Sequence, residues 1–140
     1  MMVRTAEVVT PRHPDKICDR ISDAILDECL KQDPNTRAAI ETMGGHGIIT
    51  VTGELTTTAF VDVPEVVKRV YGKDIGVQTN IVRQSPEIAQ GVDTGGAGDQ
   101  GIMIGYACND NEDLVPQEYY LARKLAQHIY EKYLYDGKTQ

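Results

Sequence analysis

Residues 37–56, RAAIETMGGHGIITVTGELT, decide the fold of this 140-residue chain. Arg37 to Met43 and His46 to Thr56 read as two strands, and Gly44-Gly45-His46-Gly47 between them reads as a glycine-rich hairpin turn. Glu41 and Glu54 sit inside these strands, although glutamate is not an expected strand former. Two solvent-facing acids would satisfy the pattern. So would a cation ligand and a grip for an ammonium group, and Gly53 beside Glu54 allows close backbone approach.

Outward from the hairpin, Val3 to Thr10 alternates weakly and predicts a short strand. From Pro14 the pattern turns helical, with Ile17, Ile21, Ala24, Ile25 and Leu30 on an apolar stripe and Asp19, Arg20, Asp23, Asp27 and Glu28 facing water. Asp33-Pro34-Asn35 ends that helix. Pro64 opens a short helix through about Tyr71, and Ile75 to Gln84 follows as a strand. After the loop Ser85 to Gly98, Gly101 to Cys108 reads as a buried strand. Pro116 then starts a long helix, with Leu121, Leu125, Ile129 and Tyr133 on one face, ending near Asp136-Gly137. Lys138-Thr139-Gln140 reads as the start of another strand. The order β-α-β-β-α-β-β-α predicts an α+β fold, a mixed sheet with helices packed on one face.

Composition narrows the function. The chain is 41% hydrophobic and 25% charged, within the range of globular proteins. Its net charge of −7 argues against nonspecific nucleic-acid binding, which needs clustered Lys and Arg. Cys18, Cys29 and Cys108 are odd in number without CxxC spacing, so a reducing cytoplasm is the expected compartment. No apolar run approaches transmembrane length, and no membrane role is expected.

Two motifs carry chemistry. His13-Pro14-Asp15-Lys16 sets an imidazole, a carboxylate and an ammonium at a helix start, where anions are favoured. Asp15 suits Mg²⁺, and Lys16 suits a phosphate or a neighbouring carboxylate. A capped surface helix fits the same four residues. The second motif, Gly95 to Gly101, holds four glycines around Ala97, Asp99 and Gln100. Such a loop either cradles a polar ligand or simply connects. It matches neither the P-loop nor the dinucleotide fingerprint. His46 and His128 read as a solvated turn residue and a helix residue, and the tyrosines from Tyr119 to Tyr135 read as packing or interface.

Taken together, the motifs resemble the S-adenosylmethionine synthetases (methionine adenosyltransferases). The matching blocks run in family order: His13-Pro14-Asp15-Lys16 into Ile21-Ser22-Asp23-Ala24; Glu41-Thr42; Gly53-Glu54-Leu55-Thr56-Thr57; Gln84-Ser85-Pro86-Glu87-Ile88 with Gln90-Gly91-Val92-Asp93; Gly96-Ala97-Gly98-Asp99-Gln100-Gly101 into Gly105-Tyr106-Ala107; and Asp136-Gly137-Lys138-Thr139-Gln140. They cover nearly the whole chain but only the amino-terminal portion of the family sequence. The resemblance implies residues 1–90 as an amino-terminal synthetase-like domain and 91–140 as the incomplete beginning of a central one.

The resemblance also implies the chemistry. Methionine sulfur displaces the triphosphate of ATP from the 5′ carbon, and the triphosphate is hydrolysed to phosphate and pyrophosphate. His13 and Lys138 would act at the triphosphate, Asp15 would hold Mg²⁺ and Glu41 K⁺. Glu54 and Gln84 would bind methionine, with Asp99, Asp136 and Gly137 as further substrate contacts. The family builds its sites between subunits. A triphosphate needs several cations, and near the motifs this chain offers Arg12, Lys16 and Lys138. The connections from Tyr71 to Gln84 and from Asp93 to Gly96 are shorter than is usual in the family. Three arrangements follow: a synthetase subunit or fragment completed by a second polypeptide, a non-catalytic binding or regulatory homologue, or a compact homo-oligomeric enzyme.

Overall fold

The computed structural model describes residues 3–85, 90, 95–96 and 100–134. The chain divides into two compact units, Pro14–Gln100 in one, and Met1–His13 with Gly101–Gln140 in the other.

The first unit is a three-stranded sheet with two helices on one face. Helix α1, Pro14–Leu30, starts with proline where its missing N–H costs nothing and with Asp15 in the first turn. Its buried residues, Ile21, Ile25 and Cys29, recur every fourth position and form one stripe. Leu30, expected on that stripe, lies one position too far round and is exposed, so Cys29 takes its place. Strands β1, Arg37–Gly45, and β2, Ile48–Thr56, pair antiparallel through a two-residue turn. His46 (φ 49°) and Gly47 (φ 87°) both adopt the left-handed region, the combination that matches the natural twist of a tight hairpin.

Helix α2, Val63–Tyr71, crosses over to β3, Gly76–Val82, which pairs parallel to β2. A parallel pair requires such a crossover. Asp62 caps α2 by accepting from the Glu65 N–H at 3.0 Å. Gly72 ends it at φ 84°, donating its N–H to the Lys68 carbonyl. The strand order is β1-β2-β3. Ile21, Ile25, Ile49, Val51, Val63, Val66 and Val67 form the core between helices and sheet. These elements bear out the expected α+β class and the mixed sheet covered on one face.

Asp33 staples the unit behind α1. Its carboxylate accepts from the Asn35 N–H (3.0 Å), the Thr58 N–H (2.8 Å), the Thr58 hydroxyl (2.9 Å) and the Thr57 hydroxyl (3.3 Å). The Thr58 backbone bond leads the influences that hold its carboxyl below the usual aspartate range.

In the second unit, helix α3, Gln117–Ile129, runs into a five-residue π-helix, Tyr130–Leu134. The Asn111 side chain organises the preceding turn, donating to the carbonyl of Val115 (2.7 Å) and to Gln117 Oε1 (3.1 Å). Two expected strands are absent here. Val3–Thr10 and Gly101–Cys108 are described without regular structure, and Ile102, Met103 and Ile104 are more than 90% exposed. An apolar run becomes a strand only where another strand accepts its backbone hydrogen bonds, and no described residue of this unit forms one. Leu121, Leu125 and Ile129 also stay exposed. The expected end of the long helix near Asp136-Gly137 lies outside the described residues.

Candidate functional site

Register decides which side chains share a face. Thr42 pairs with Val51 and Glu41 with Thr52, so the alternation of each strand sends Ile40, Thr42, Ile49 and Val51 towards the helices. Residues of the other parity, Arg37, Ala39, Glu41 and Met43 on β1 and Thr50, Thr52, Glu54 and Thr56 on β2, line the opposite, open face. On β3, Gln78 pairs with Thr50, Asn80 with Thr52 and Val82 with Glu54, so these join the same face.

Rows of paired side chains therefore cross the open face. Glu41, Thr52 and Asn80 form one, tied by the Thr52 hydroxyl donating to the Asn80 carbonyl at 3.0 Å. Ala39, Glu54 and Val82 form the next. Glu41 and Glu54 are thus diagonal neighbours, roughly 7–8 Å apart by ordinary sheet geometry. Glu41 is exposed and Glu54 half-buried. Two carboxylates on one face favour a cation or an ammonium between or beside them.

A last row, Arg37 and Thr56, ends the pairing of β1 with β2, and Gln84 lies two residues past the end of β3. The Thr56 hydroxyl and Gln84 Oε1 are both buried and make no hydrogen bond. The sequence singled out Gln84 but missed Thr56 as distinct from its neighbours. The signal was available in parity, since Thr56 is two residues from Glu54 on the same strand.

Gly53 makes the close strand approach possible. It lies at φ 133°, and a Cβ there would be driven into the Ala39 carbonyl oxygen and come within 3.1 Å of Ile40 Cα. Only glycine fits.

The remaining sequence-chosen residues are placed separately. Asp15 is exposed in the first turn of α1, and Lys16 forms an ion pair with Asp19 at 3.0 Å rather than standing clear for an anion. His13 is half-buried, its backbone N–H bonded to the Thr10 carbonyl at 3.0 Å. Asp99, Asp136, Gly137 and Lys138 lie outside the described residues. Among the described residues no group of three or more His, Cys, Asp or Glu side chains could hold a metal ion. Burial pushes the Cys18 and Cys29 thiols above their ordinary range, so neither is an activated nucleophile. No helix among the described residues is long and apolar enough to cross a membrane. A groove of about 260 Å³ lies on the helix side, lined by Gln32, Phe60, Glu65, Val66 and Arg69 among others, and it includes none of the sequence-chosen residues.

Comparison with known proteins adds two family matches. Residues 1–92 match the S-adenosylmethionine synthetase N-terminal domain, and residues 94–140 match the S-adenosylmethionine synthetase central domain. An S-adenosylmethionine synthase of Prochlorococcus marinus (strain MIT 9211) is 45% identical over 171 residues. That alignment takes in 99% of this chain and 42% of the relative, so the chain spans less than half the relative's length. It is also longer than the chain, so the relative carries additional residues between the matched segments.

Proposed function

Because this chain belongs to the S-adenosylmethionine synthetase family, we propose that it contributes the amino-terminal half of a methionine adenosyltransferase site. A second polypeptide, or the remainder of a longer chain, supplies the other half. In this reading residues 1–90 form the amino-terminal domain and 91–140 begin the central one. The substrates are ATP and L-methionine, and the compartment is the cytoplasm. The observation that carries the reading is the gathering of Glu41 and Glu54 at one open sheet face, although they come from separate sequence blocks.

The chemistry asks for positioning more than for a base. The methionine sulfur already holds a nucleophilic lone pair. Its attack on the 5′ carbon of ATP forms the C–S bond of a sulfonium and breaks the C–O bond, and the electron pair leaves with the triphosphate. Holding the reactants in line and neutralising the departing charge is the work left to the protein. Glu54 accepts from the methionine ammonium, and Gln84 binds the same amino-acid head. His13 and Lys138 face the triphosphate, with Asp99, Asp136 and Gly137 as additional substrate contacts.

Asp15 would hold Mg²⁺ and Glu41 K⁺. Each offers one hard oxygen donor group, which fits a cation that takes its other ligands from substrate phosphates and water. Such cations would supply positive charge at the leaving group. A chain of net charge −7 that handles a triphosphate needs charge from outside itself.

Native mass spectrometry of the protein from its own source tests the assembly. A stoichiometric second polypeptide, or a single longer chain, in an assembly that makes S-adenosylmethionine from ATP, methionine, Mg²⁺ and K⁺, is the expected result. An assembly that binds these ligands without turnover would replace the enzyme reading with that of a binding or regulatory homologue. Turnover by units of 15.4 kDa alone would instead establish a compact homo-oligomer.

A further inference from the structure

We infer that Ser22 and Thr42 are positioning residues whose hydroxyl pair seats helix α1, and with it Asp15, against β1, an inference that rests on the reading of Asp15 as the Mg²⁺ ligand. Ser22 Oγ and Thr42 Oγ1 lie 2.9 Å apart, and both residues are half-buried between helix and sheet. Around them the contact is apolar, with Ile21 and Ile25 in one cluster with Ile49 and Val51. Apolar contact is non-directional and tolerates sliding, whereas a hydroxyl bond has a preferred distance and angle. One helical turn earlier, Cys18 Sγ lies 3.5 Å from the point where a Gly44 Cβ would stand. Cys18 and Ser22 therefore meet Gly44 and Thr42, successive inward positions of β1, and α1 runs opposite to that strand. The spacings agree, since four helical residues rise about 6 Å and two strand residues advance about 6.8 Å.

Asp15, Cys18 and Ser22 fall at i, i+3 and i+7, on one stripe of the helix. Asp15 stands about 10 Å before Ser22 along the axis, towards the hairpin end of β1. Its place over the sheet thus depends on how α1 is seated. Glu54 is held differently, by backbone pairing opposite Ala39 on one side and Val82 on the other. Local propensity does not account for the two hydroxyls. Alanine is a better helix former than serine, and valine suits a strand as well as threonine. Replacing both partners of a hydrogen bond by apolar groups of similar shape costs little stability. What the pair adds is a fixed seat for α1, and through it a fixed place for the Asp15 carboxylate.

The test uses the native assembly carrying Ser22→Ala with Thr42→Val, Thr42→Val alone, Thr42→Ser, or Asp15→Asn. Thermal unfolding with ATP and increasing Mg²⁺ gives the Mg²⁺ concentration at half of the Tm gain, a binding readout that needs no turnover. Steady-state kinetics give KM for methionine. The double variant should keep its ligand-free Tm within about 3 °C while its Mg²⁺ half-point rises about three- to tenfold, the worth of one hydroxyl bond. Its methionine KM should stay within about twofold, because strand pairing holds Glu54. Thr42→Ser keeps the hydroxyl and should match wild type, whereas Thr42→Val should not. An unchanged Mg²⁺ half-point in the double variant would overturn the inference. So would a parallel rise in methionine KM, a larger fall in ligand-free Tm, or a Thr42→Ser variant as impaired as Thr42→Val, since each marks a pair that stabilises the fold at large. An unchanged Mg²⁺ half-point in Asp15→Asn would overturn the parent reading of Asp15, a result distinct from any failure confined to Ser22 and Thr42.

Discussion

Replacing Gly53 with alanine attacks the unit where its strands come closest. Gly53 sits in β2 opposite Ile40, at φ 133°, a region that L-residues rarely adopt. Holding alanine there costs about 1–3 kcal/mol in backbone strain. The new methyl would also be forced into the Ala39 carbonyl oxygen, backbone that cannot swing aside as a flexible side chain would. β1 and β2 must part locally. Weakening the two flanking ladder hydrogen bonds adds about 0.5–1.5 kcal/mol each. We therefore expect Gly53→Ala to lose about 2–6 kcal/mol, a large part of the roughly 5–15 kcal/mol available to a small protein. Urea unfolding followed by circular dichroism measures it, with Ile25→Ala as a comparison core lesion expected to cost about 2–5 kcal/mol. A loss below about 1 kcal/mol with an unchanged m-value would refute the close-approach argument.

Other perturbations read different parts of the molecule. Asp33 titrates below the ordinary aspartate range, so its stabilising effect is present above the unfolded pKa of about 3.9 and is lost as pH falls through the lower folded value. Asp33→Asn should remove that contribution to acid sensitivity, which Tm measured against pH from neutral to strongly acid would reveal as a shallower fall. His13→Ala in the native assembly should sharply reduce S-adenosylmethionine formation while leaving the mass of the complex unchanged, and near-normal turnover would remove the role given to His13. Cys18 and Cys29 should react slowly with a thiol reagent near pH 7 in the folded chain and rapidly once denatured, because burial raises both thiols. Fast labelling of Cys29 in the native protein would contradict the core assignment.

The sequence made the first unit legible because local signals there agree. Proline and aspartate begin α1, Asp33-Pro34 follows its end, and Pro64 and Gly72 bracket α2. What periodicity could not reveal was register. Glu41 and Glu54 were separate candidates until the turn was confined to His46 and Gly47, which makes Glu41 the partner of Thr52 and puts both acids on one face. A turn one residue longer would have changed that pairing. The strands expected at Val3–Thr10 and Gly101–Cys108 failed for another reason. Apolar content marks what can enter a sheet, but pairing depends on a neighbour that the segment itself does not encode.

The mixed pairing of β2 has a consequence for the order of folding. Its antiparallel bond to β1 closes across two residues, whereas its parallel bond to β3 waits for the chain through α2 to cross over. Hairpins form in about 1–10 μs, and contacts between distant segments come at a greater entropic cost. Glu41 and Glu54 therefore take their relative positions early, as a local event. Gln84 arrives with β3, at the last step that closes the sheet.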